Sequence, residues 1–202
     1  MSSGRRCARP GTRANQGDTV TEISDRYRKV AGQFRARVEA VPDGAWDNPS
    51  PCEGWVARDV VAHLVDWLPA YFFPRWGIVP VAGPAVSDDP AGAWAVVDAA
   101  IQAALDDPEV AGSERDTHAG MASFEQTIDM ICTPDVLVHT WDVARATGLD
   151  ETLDPVEARR MLAGVEPYDE AMRGSGHYGP RVEVPPDADD QTRLLAFMGR
   201  NP

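Results

Sequence analysis

Residues 134–148 read Pro-Asp-Val-Leu-Val-His-Thr-Trp-Asp-Val-Ala-Arg-Ala-Thr-Gly. As a helix, this stretch places Asp135, His139 and Asp142 along one face, because side chains three and four residues apart stack on a helix surface. The aliphatic residues between them fall largely on other faces, where they can pack. A carboxylate four residues before a histidine lets one helix offer two ligands to one divalent metal ion.

A third ligand has to come from another element, and His63 is the candidate. It lies in the apolar stretch Asp-Val-Val-Ala-His-Leu-Val-Asp-Trp over 59–67, in a chain that has 4 histidines. Burying an imidazole without a partner is costly, so two histidines on apolar helices favour a shared partner. We therefore predict that His63, Asp135 and His139 meet around a metal ion between two helices. Spacing alone also allows an exposed local Asp135–His139 pair.

The predicted ligand set has a definite chemistry. Imidazoles and carboxylates suit Zn²⁺, Ni²⁺ or Fe²⁺. Two histidines and one carboxylate leave coordination positions for water or substrate, whereas a structural zinc site closes its coordination, usually with cysteines. An open site therefore favours catalysis, because a bound ion lowers the pKa of a water or thiol that it holds.

Residues around the predicted centre have roles that the sequence leaves open. Asp142 is an acceptor that orients the His139 ring, a fourth ligand, or an exposed charge. Trp67, four residues past His63, and Tyr71 are candidates for the wall of a cofactor pocket, with core packing as the alternative for Trp67. The Pro- and Gly-rich connection over 74–90 is either a further part of this wall or a surface loop.

The remaining histidines and the cysteines carry weaker signals. His118 and His177 lie in polar stretches, where we expect exposure to solvent, and His177 would cover the site only if the C-terminal segment folded back. Cys7, Cys52 and Cys132 form an odd set without disulfide or metal spacing. We therefore expect a reducing cytoplasm and a core position for Cys132.

Composition excludes several classes of function. The net charge is −13, with 32 acidic against 19 basic residues, which argues against a phosphate-backbone binder. No apolar run reaches the roughly 20 residues that a bilayer-spanning helix needs. The basic opening segment lacks the apolar stretch of a secretory signal. We expect small-molecule partners, and neither nucleic acid nor membrane.

Hydrophobic residues recur at helical spacings through most of the chain. The predicted helices span 19–41, 56–71, 91–106, 123–133, 135–147, 154–167 and 189–198. Thr133-Pro134 either starts a new helix or kinks one long helix. Val56, at the start of the second helix, has no side-chain oxygen to cap it. We predict a disordered tail over 1–17. Because no stretch reads as a convincing sheet, we predict one all-α domain over 18–202, with four main and two small C-terminal helices.

Two stretches resemble a known family. Trp46, then Pro-Ser-Pro-Cys-Glu-Gly-Trp over 49–55 and Arg-Asp-Val-Val-Ala-His-Leu over 58–64, are followed by the motif over 135–148. Together they are similar to the actinobacterial mycothiol-dependent maleylpyruvate isomerase N-terminal domain family, within the DinB/YfiT-like superfamily of metal-binding bundles. Residues 179–202 resemble the ending of one of its metal-binding subfamilies.

The resemblance implies a DinB/YfiT-like four-helix bundle that holds zinc or nickel on His63, Asp135 and His139. It also implies kinship with isomerases and S-transferases in which the metal activates the thiol of mycothiol, bacillithiol or glutathione. Three departures separate the chain from the maleylpyruvate reaction itself. Asp135 stands where the isomerase has Glu, Val56 replaces the usual Thr cap, and the chain ends without the isomerase's separate C-terminal domain.

These observations lead to a first hypothesis and two alternatives. The first is a metal-dependent thiol transferase or isomerase that acts on a small electrophile. The second is a non-catalytic metal- or small-ligand-binding module of the same fold in stress response or regulation. The third has the two histidine-bearing helices pairing in a homodimer interface.

Overall fold

The computed structural model describes residues 20–117, 120–174 and 179–202. The predicted tail, His118 and His177 lie outside these residues. The helices are α1 (Val20–Glu39), α2 (Ala57–Trp76), α3 (Pro90–Asp106), α4 (Pro108–Ala111), α5 (Phe124–Thr127), α6 (Thr133–Thr147), α7 (Pro155–Val165), α8 (Asp169–Gly174) and α9 (Asp190–Phe197). Strands β1 (Glu114–Thr117) and β2 (Gly120–Ser123) form an antiparallel hairpin in which Glu114 pairs with Ser123.

Four long helices, α1, α2, α3 and α6, build the bundle. Helix α1 packs against α3 and α6, and α2 packs against the same two helices. Large side chains with almost no exposed surface fill the space between them, among them Tyr27, Phe34, Leu64, Leu68, Trp94, Ile101 and Trp141. The predicted all-α bundle is confirmed. Because α2 and α6 are neighbours, side chains on their facing sides can meet.

The chain from Phe124 to Thr147 forms one continuous helical run rather than two helices. A π-helical segment, Ile128–Cys132, connects α5 to α6, and Thr133 itself is helical. Pro134 lacks an N–H, and its ring would clash with the carbonyl four residues earlier in a regular helix. The wider π turn accommodates this proline, and such segments are frequent at functional sites. Gly148, with φ 71°, ends α6 in the left-handed conformation that favours glycine.

Ion pairs attach α1 to later parts of the chain. Arg26 pairs with Asp129 of the π-helical segment and donates to Glu157 of α7 (2.5 Å). Lys29 pairs with Asp154, whose carboxylate caps α7 by accepting from the Val156 and Glu157 backbone N–H groups. Helix α1 is thus attached both to the segment that leads into α6 and to the start of α7.

The structure differs from the sequence-based expectations at several places, among them the short helix α4 over Pro108–Ala111, where no helix was predicted. Helix α2 continues to Trp76 through two prolines, because burial of Phe72, Phe73 and Trp76 offsets the missing hydrogen bonds. The β1–β2 hairpin was not expected, since its short, mostly exposed strands lack an apolar alternation. Helix α8 also falls where no helix was predicted.

Nearby groups satisfy backbone hydrogen-bonding groups at the start of α2 and near the end of α9. The Asp59 carboxylate accepts the Val56 N–H (2.9 Å), which satisfies one group at the end that Val56 cannot cap. The extended piece over 181–184 does not join a sheet, because Val182 N–H donates to the Ala196 carbonyl of α9 (3.0 Å).

Among the described residues, none of the helices combines the length and hydrophobicity that crossing a bilayer requires.

Candidate metal centre

Helices α2 and α6 bring together the three side chains proposed as ligands. His63 Nε2 lies 3.5 Å from Asp135 Oδ2, and His139 Nε2 lies 3.4 Å from Asp135 Oδ1. One donor atom of each residue lies within 4.8 Å of the donor atoms of the other two. The two imidazole rings meet edge to face with centroids 5.0 Å apart. The structure therefore places the histidine of α2 next to the aspartate and histidine of α6, as the sequence predicted.

The separations fit ligands of one ion better than hydrogen bonds. Distances of 3.4 and 3.5 Å from imidazole nitrogen to carboxylate oxygen exceed the range of a good N–H···O bond. Two ligand atoms about 2.1 Å from a tetrahedral ion would lie about 3.4 Å apart. The donor set of two imidazoles and one carboxylate is also one that zinc accepts. These residues therefore suit a divalent metal.

The centre is open on one side. The side chains of His63 and Asp135 keep 31% and 28% of their surface exposed, whereas His139 keeps 7%. His139 lies at the buried end, next to the bundle core, and His63 faces the solvent side. Two of the three proposed ligands are therefore partly exposed to solvent.

Asp142 is a buried partner of His139 rather than an exposed charge. Its carboxylate has no exposed surface, and its Oδ2 lies 2.9 Å from His139 Nδ1. With Nδ1 so engaged, the Nε2 atom of His139 is the one that faces Asp135. A carboxylate on the far nitrogen is the usual support of a histidine that binds metal, since it sets the tautomer and the ring orientation.

A second set of possible metal ligands lies beside the first, but an arginine side chain already contacts it. Cys52 Sγ, Asp142 and His139 also lie close enough together to hold an ion. Arg200, however, places Nη2 2.7 Å from Asp142 Oδ2 and 3.4 Å from Cys52 Sγ. A metal ion there would be repelled by the guanidinium, so the first group is the better candidate. The sequence alone assigned no role to Cys52 or Arg200, although both lie in the stretches that carry the family resemblance.

The charges of the cluster shift the pKa values of its members. Burial alone would raise the pKa of Asp135 and lower that of His139. Attraction between the two outweighs burial, so the pKa of Asp135 lies well below its usual range and that of His139 well above it. Burial likewise raises the pKa of Asp142, but His139 and then Arg200 lower it overall. The cluster is thus a strongly attractive position for a positive charge, which a metal ion would supply in place of a proton.

Two tryptophans border the centre. The Trp67 indole N–H donates to Asp135 Oδ2 (2.9 Å), and its ring lies 6.0 Å from that of His63. Trp55 lies 5.1 Å from the His63 ring and stacks on His139 at 6.3 Å. Trp67 therefore contacts a proposed ligand directly, and Trp55, which had no predicted role, lies beside both imidazole rings. Tyr71 continues the row with its ring 5.9 Å from that of Trp67.

The connection after α2 lines an apolar cavity, but not at the proposed ligands. Residues 80, 81, 83 and 84 close a cavity of about 250 Å³ with side chains of α2 and α3, such as Val65, Phe73 and Val97. None of the three proposed ligands lines this cavity. The suggestion that the 74–90 connection walls a cofactor pocket at the metal centre therefore stays a prediction, as do the cofactor roles of Trp67 and Tyr71.

Comparisons with known proteins agree with the fold and the motif around His63. The chain is 26% identical over 176 residues to a protein from each of two Mycobacterium tuberculosis strains, both named as uncharacterised, and the match covers 86% of this chain and 95% of each relative. No solved structure matches it significantly. The mycothiol maleylpyruvate isomerase N-terminal domain family matches residues 27–71, from the middle of α1 through most of α2. The resemblance predicted from the sequence is therefore confirmed over residues 27–71, which match the DinB-like domain of this family.

Proposed function

We propose that the protein binds one divalent metal ion, zinc or nickel, through His63, Asp135 and His139, and uses it in a thiol-dependent transfer or isomerisation of a small electrophile. The observation that carries the proposal is the convergence of three donor atoms from α2 and α6 within 4.8 Å. The family match supports the thiol part, since the matched domain is named for mycothiol.

Each residue has a part in this proposal. A bound ion would act as a Lewis acid and lower the pKa of a thiol or water beside it. Asp142 fixes the His139 ring through Nδ1, and the Trp67 indole holds one oxygen of Asp135. Trp55 packs beside both imidazole rings. The exposed side at His63 admits the thiol and the electrophile.

Metal content tests the first half of the proposal. Protein purified without a chelating column should contain about one divalent ion per chain by elemental analysis. His63→Ala removes one of three ligands and should lower this content severalfold. Asp66→Asn, which changes an exposed carboxylate on the same helix, is the matched control and should leave it unchanged. An unchanged content in His63→Ala would contradict the site.

Turnover tests the second half. Metal-loaded protein incubated with mycothiol and a chloronitrobenzene should form the thioether conjugate, and Asp135→Asn should abolish it. The reaction is followed by mass spectrometry of the products. Stoichiometric metal without conjugate, for this and other small electrophiles, would instead support the non-catalytic metal-binding module.

A further inference from the structure

We propose that Arg200, in the turn that follows α9, is a positioning residue for the metal centre. It fixes the buried carboxylate of Asp142, which in turn orients the His139 ring. This inference rests on the proposed metal binding by His139. It connects the C-terminal turn of the chain to a site formed by α2 and α6.

The Arg200–Asp142 contact is a two-pronged ion pair. Arg200 Nε donates to Asp142 Oδ1 (3.2 Å) and Nη2 donates to Oδ2 (2.7 Å). The Arg200 side chain is 15% exposed and that of Asp142 is fully buried. A guanidinium that holds both carboxylate oxygens fixes the plane of the carboxylate as well as its position. Asp142 therefore cannot rotate without breaking two charged hydrogen bonds.

The carboxylate of Asp142 also contacts the proposed ligand His139. Its Oδ2 lies 2.9 Å from His139 Nδ1, while His139 Nε2 faces Asp135 at 3.4 Å. Cys52 Sγ lies 3.4 Å from Oδ2 and closes another side of the carboxylate. Arg200, Asp142 and His139 thus form an uninterrupted series of charged contacts that ends at a ligand atom.

The backbone after α9 aims Arg200 at this position. Gly199 adopts φ 83°, and Arg200 N–H donates back to the Leu195 carbonyl (2.9 Å). A Cβ atom at Gly199 would lie 3.0 Å from Gly179 Cα, so the close approach of the two segments needs a glycine as much as the left-handed turn does. Arg200 therefore extends from a fixed turn rather than from a loose end.

A purely structural interpretation makes a different prediction. If the ion pair only tethers the C-terminal segment to α6, its loss lowers the stability of the fold and leaves metal affinity as it was. If Arg200 positions Asp142, its loss removes two charged hydrogen bonds from a buried carboxylate, which is then free to move. The His139 ring then loses its fixed orientation, and metal affinity falls.

The test compares metal dissociation constants, measured by competition with a chromogenic chelator, for the full chain and its variants. Arg200→Ala should weaken zinc binding by about 10- to 100-fold, the usual effect of losing a group that supports a ligand. Arg200→Lys should fall between this variant and the wild type, since lysine restores the charge without the fork. Arg193→Ala, which removes an exposed arginine of α9 that pairs with Glu166, is the matched control.

A double-mutant cycle shows whether Arg200 acts through Asp142. In an Asp142→Asn background, Arg200→Ala should change the dissociation constant by less than about twofold, because the connection is already broken. Equal weakening in both backgrounds overturns the inference, as does an unchanged constant in Arg200→Ala. If Arg200→Ala does not fold, as judged by circular dichroism, a wild-type constant in Arg200→Lys overturns it. Absence of zinc binding by the wild type would instead overturn the proposed function.

Discussion

His139 shows how one residue can be buried and still face a ligand position. Its Nδ1 contacts Asp142, and its Nε2 points to the carboxylate of Asp135. A buried imidazole needs partners for both nitrogens, because an unpaired polar group in the core is costly. With Nδ1 paired inside the bundle, Nε2 is left for an ion or a proton on the open side.

Trp67 allows a prediction at this scale. Trp67→Phe keeps an aromatic ring but removes the N–H that holds Asp135 Oδ2 (2.9 Å). The carboxylate then has more freedom, so zinc affinity should fall about 10-fold, within the range for groups that support a ligand. Chelator competition measures the change.

Trp76→Phe on the same helix is the control. It removes an indole hydrogen bond of equal length, to the Ser113 carbonyl (2.9 Å), at a residue outside the proposed centre. Its cost should appear in stability, at about 1 kcal/mol, and not in zinc affinity. Equal effects of the two variants on affinity would show that the Trp67 hydrogen bond has no special role.

Among the secondary-structure elements, the π-helical segment Ile128–Cys132 sets the start of α6 and hence the position of Asp135. It is attached to α1 through the Arg26–Asp129 pair and buries Cys132 in the core. The predicted core position of Cys132 agrees with this burial. Since Asp135 lies in the first turn of α6, the geometry of the ligand depends on a segment that carries no ligand itself.

Helix α7 supports a prediction about capping and pH. Asp154 accepts from two backbone N–H groups at the start of α7 and pairs with Lys29. Asp154→Ala should cost about 1 kcal/mol at pH 7, the usual value of a lost N-cap. Urea denaturation of the two proteins measures the difference.

The same difference should shrink in acid. Burial raises the pKa of Asp154, but Lys29 and the backbone donors lower it overall, so its folded-state pKa lies below the unfolded-state value. A carboxyl group of this kind adds stability above its unfolded pKa of about 3.9 and loses it as the pH falls through the folded value. The wild type and Asp154→Ala should therefore converge below about pH 4. If the difference in the free energy of unfolding stayed constant from pH 7 to below pH 4, the effect would not come from the charge of Asp154.

Across the whole molecule, the proposed ligands connect two neighbouring helices of the bundle. An ion held by α2 and α6 binds only when both are packed, so it stabilises the folded state by mass action. Free zinc at 100 times its dissociation constant should add about 2.7 kcal/mol. For a chain of this size, that corresponds to a rise of about 5–10 °C in melting temperature.

Removal of the metal provides the check. A chelator should return the melting temperature to that of the metal-free protein, and His63→Ala should show little response to zinc, whereas Asp66→Asn should respond like the wild type. Differential scanning calorimetry measures all three. A zinc-dependent shift that survives in His63→Ala would place the ion elsewhere.

The extent of prediction from sequence differs between the fold and the site. The helices of the bundle follow from residues three and four apart, and the pairing of Asp135 with His139 is a matter of one helical turn. The continuation of α2 through Pro69 and Pro74 was not predictable in this way, because burial against other helices outweighs the local preference of proline.

The amphipathic helices, the three candidate ligands and the family resemblance can be recognised from the amino-acid sequence, because those signals are local patterns. The contacts between distant parts of the chain are seen only in the folded protein, where His63 faces Asp135 from the neighbouring helix, and Arg200 and Cys52, 58 and 90 residues away in sequence, surround Asp142. Such contacts depend on how every helix packs, which no short stretch of sequence encodes.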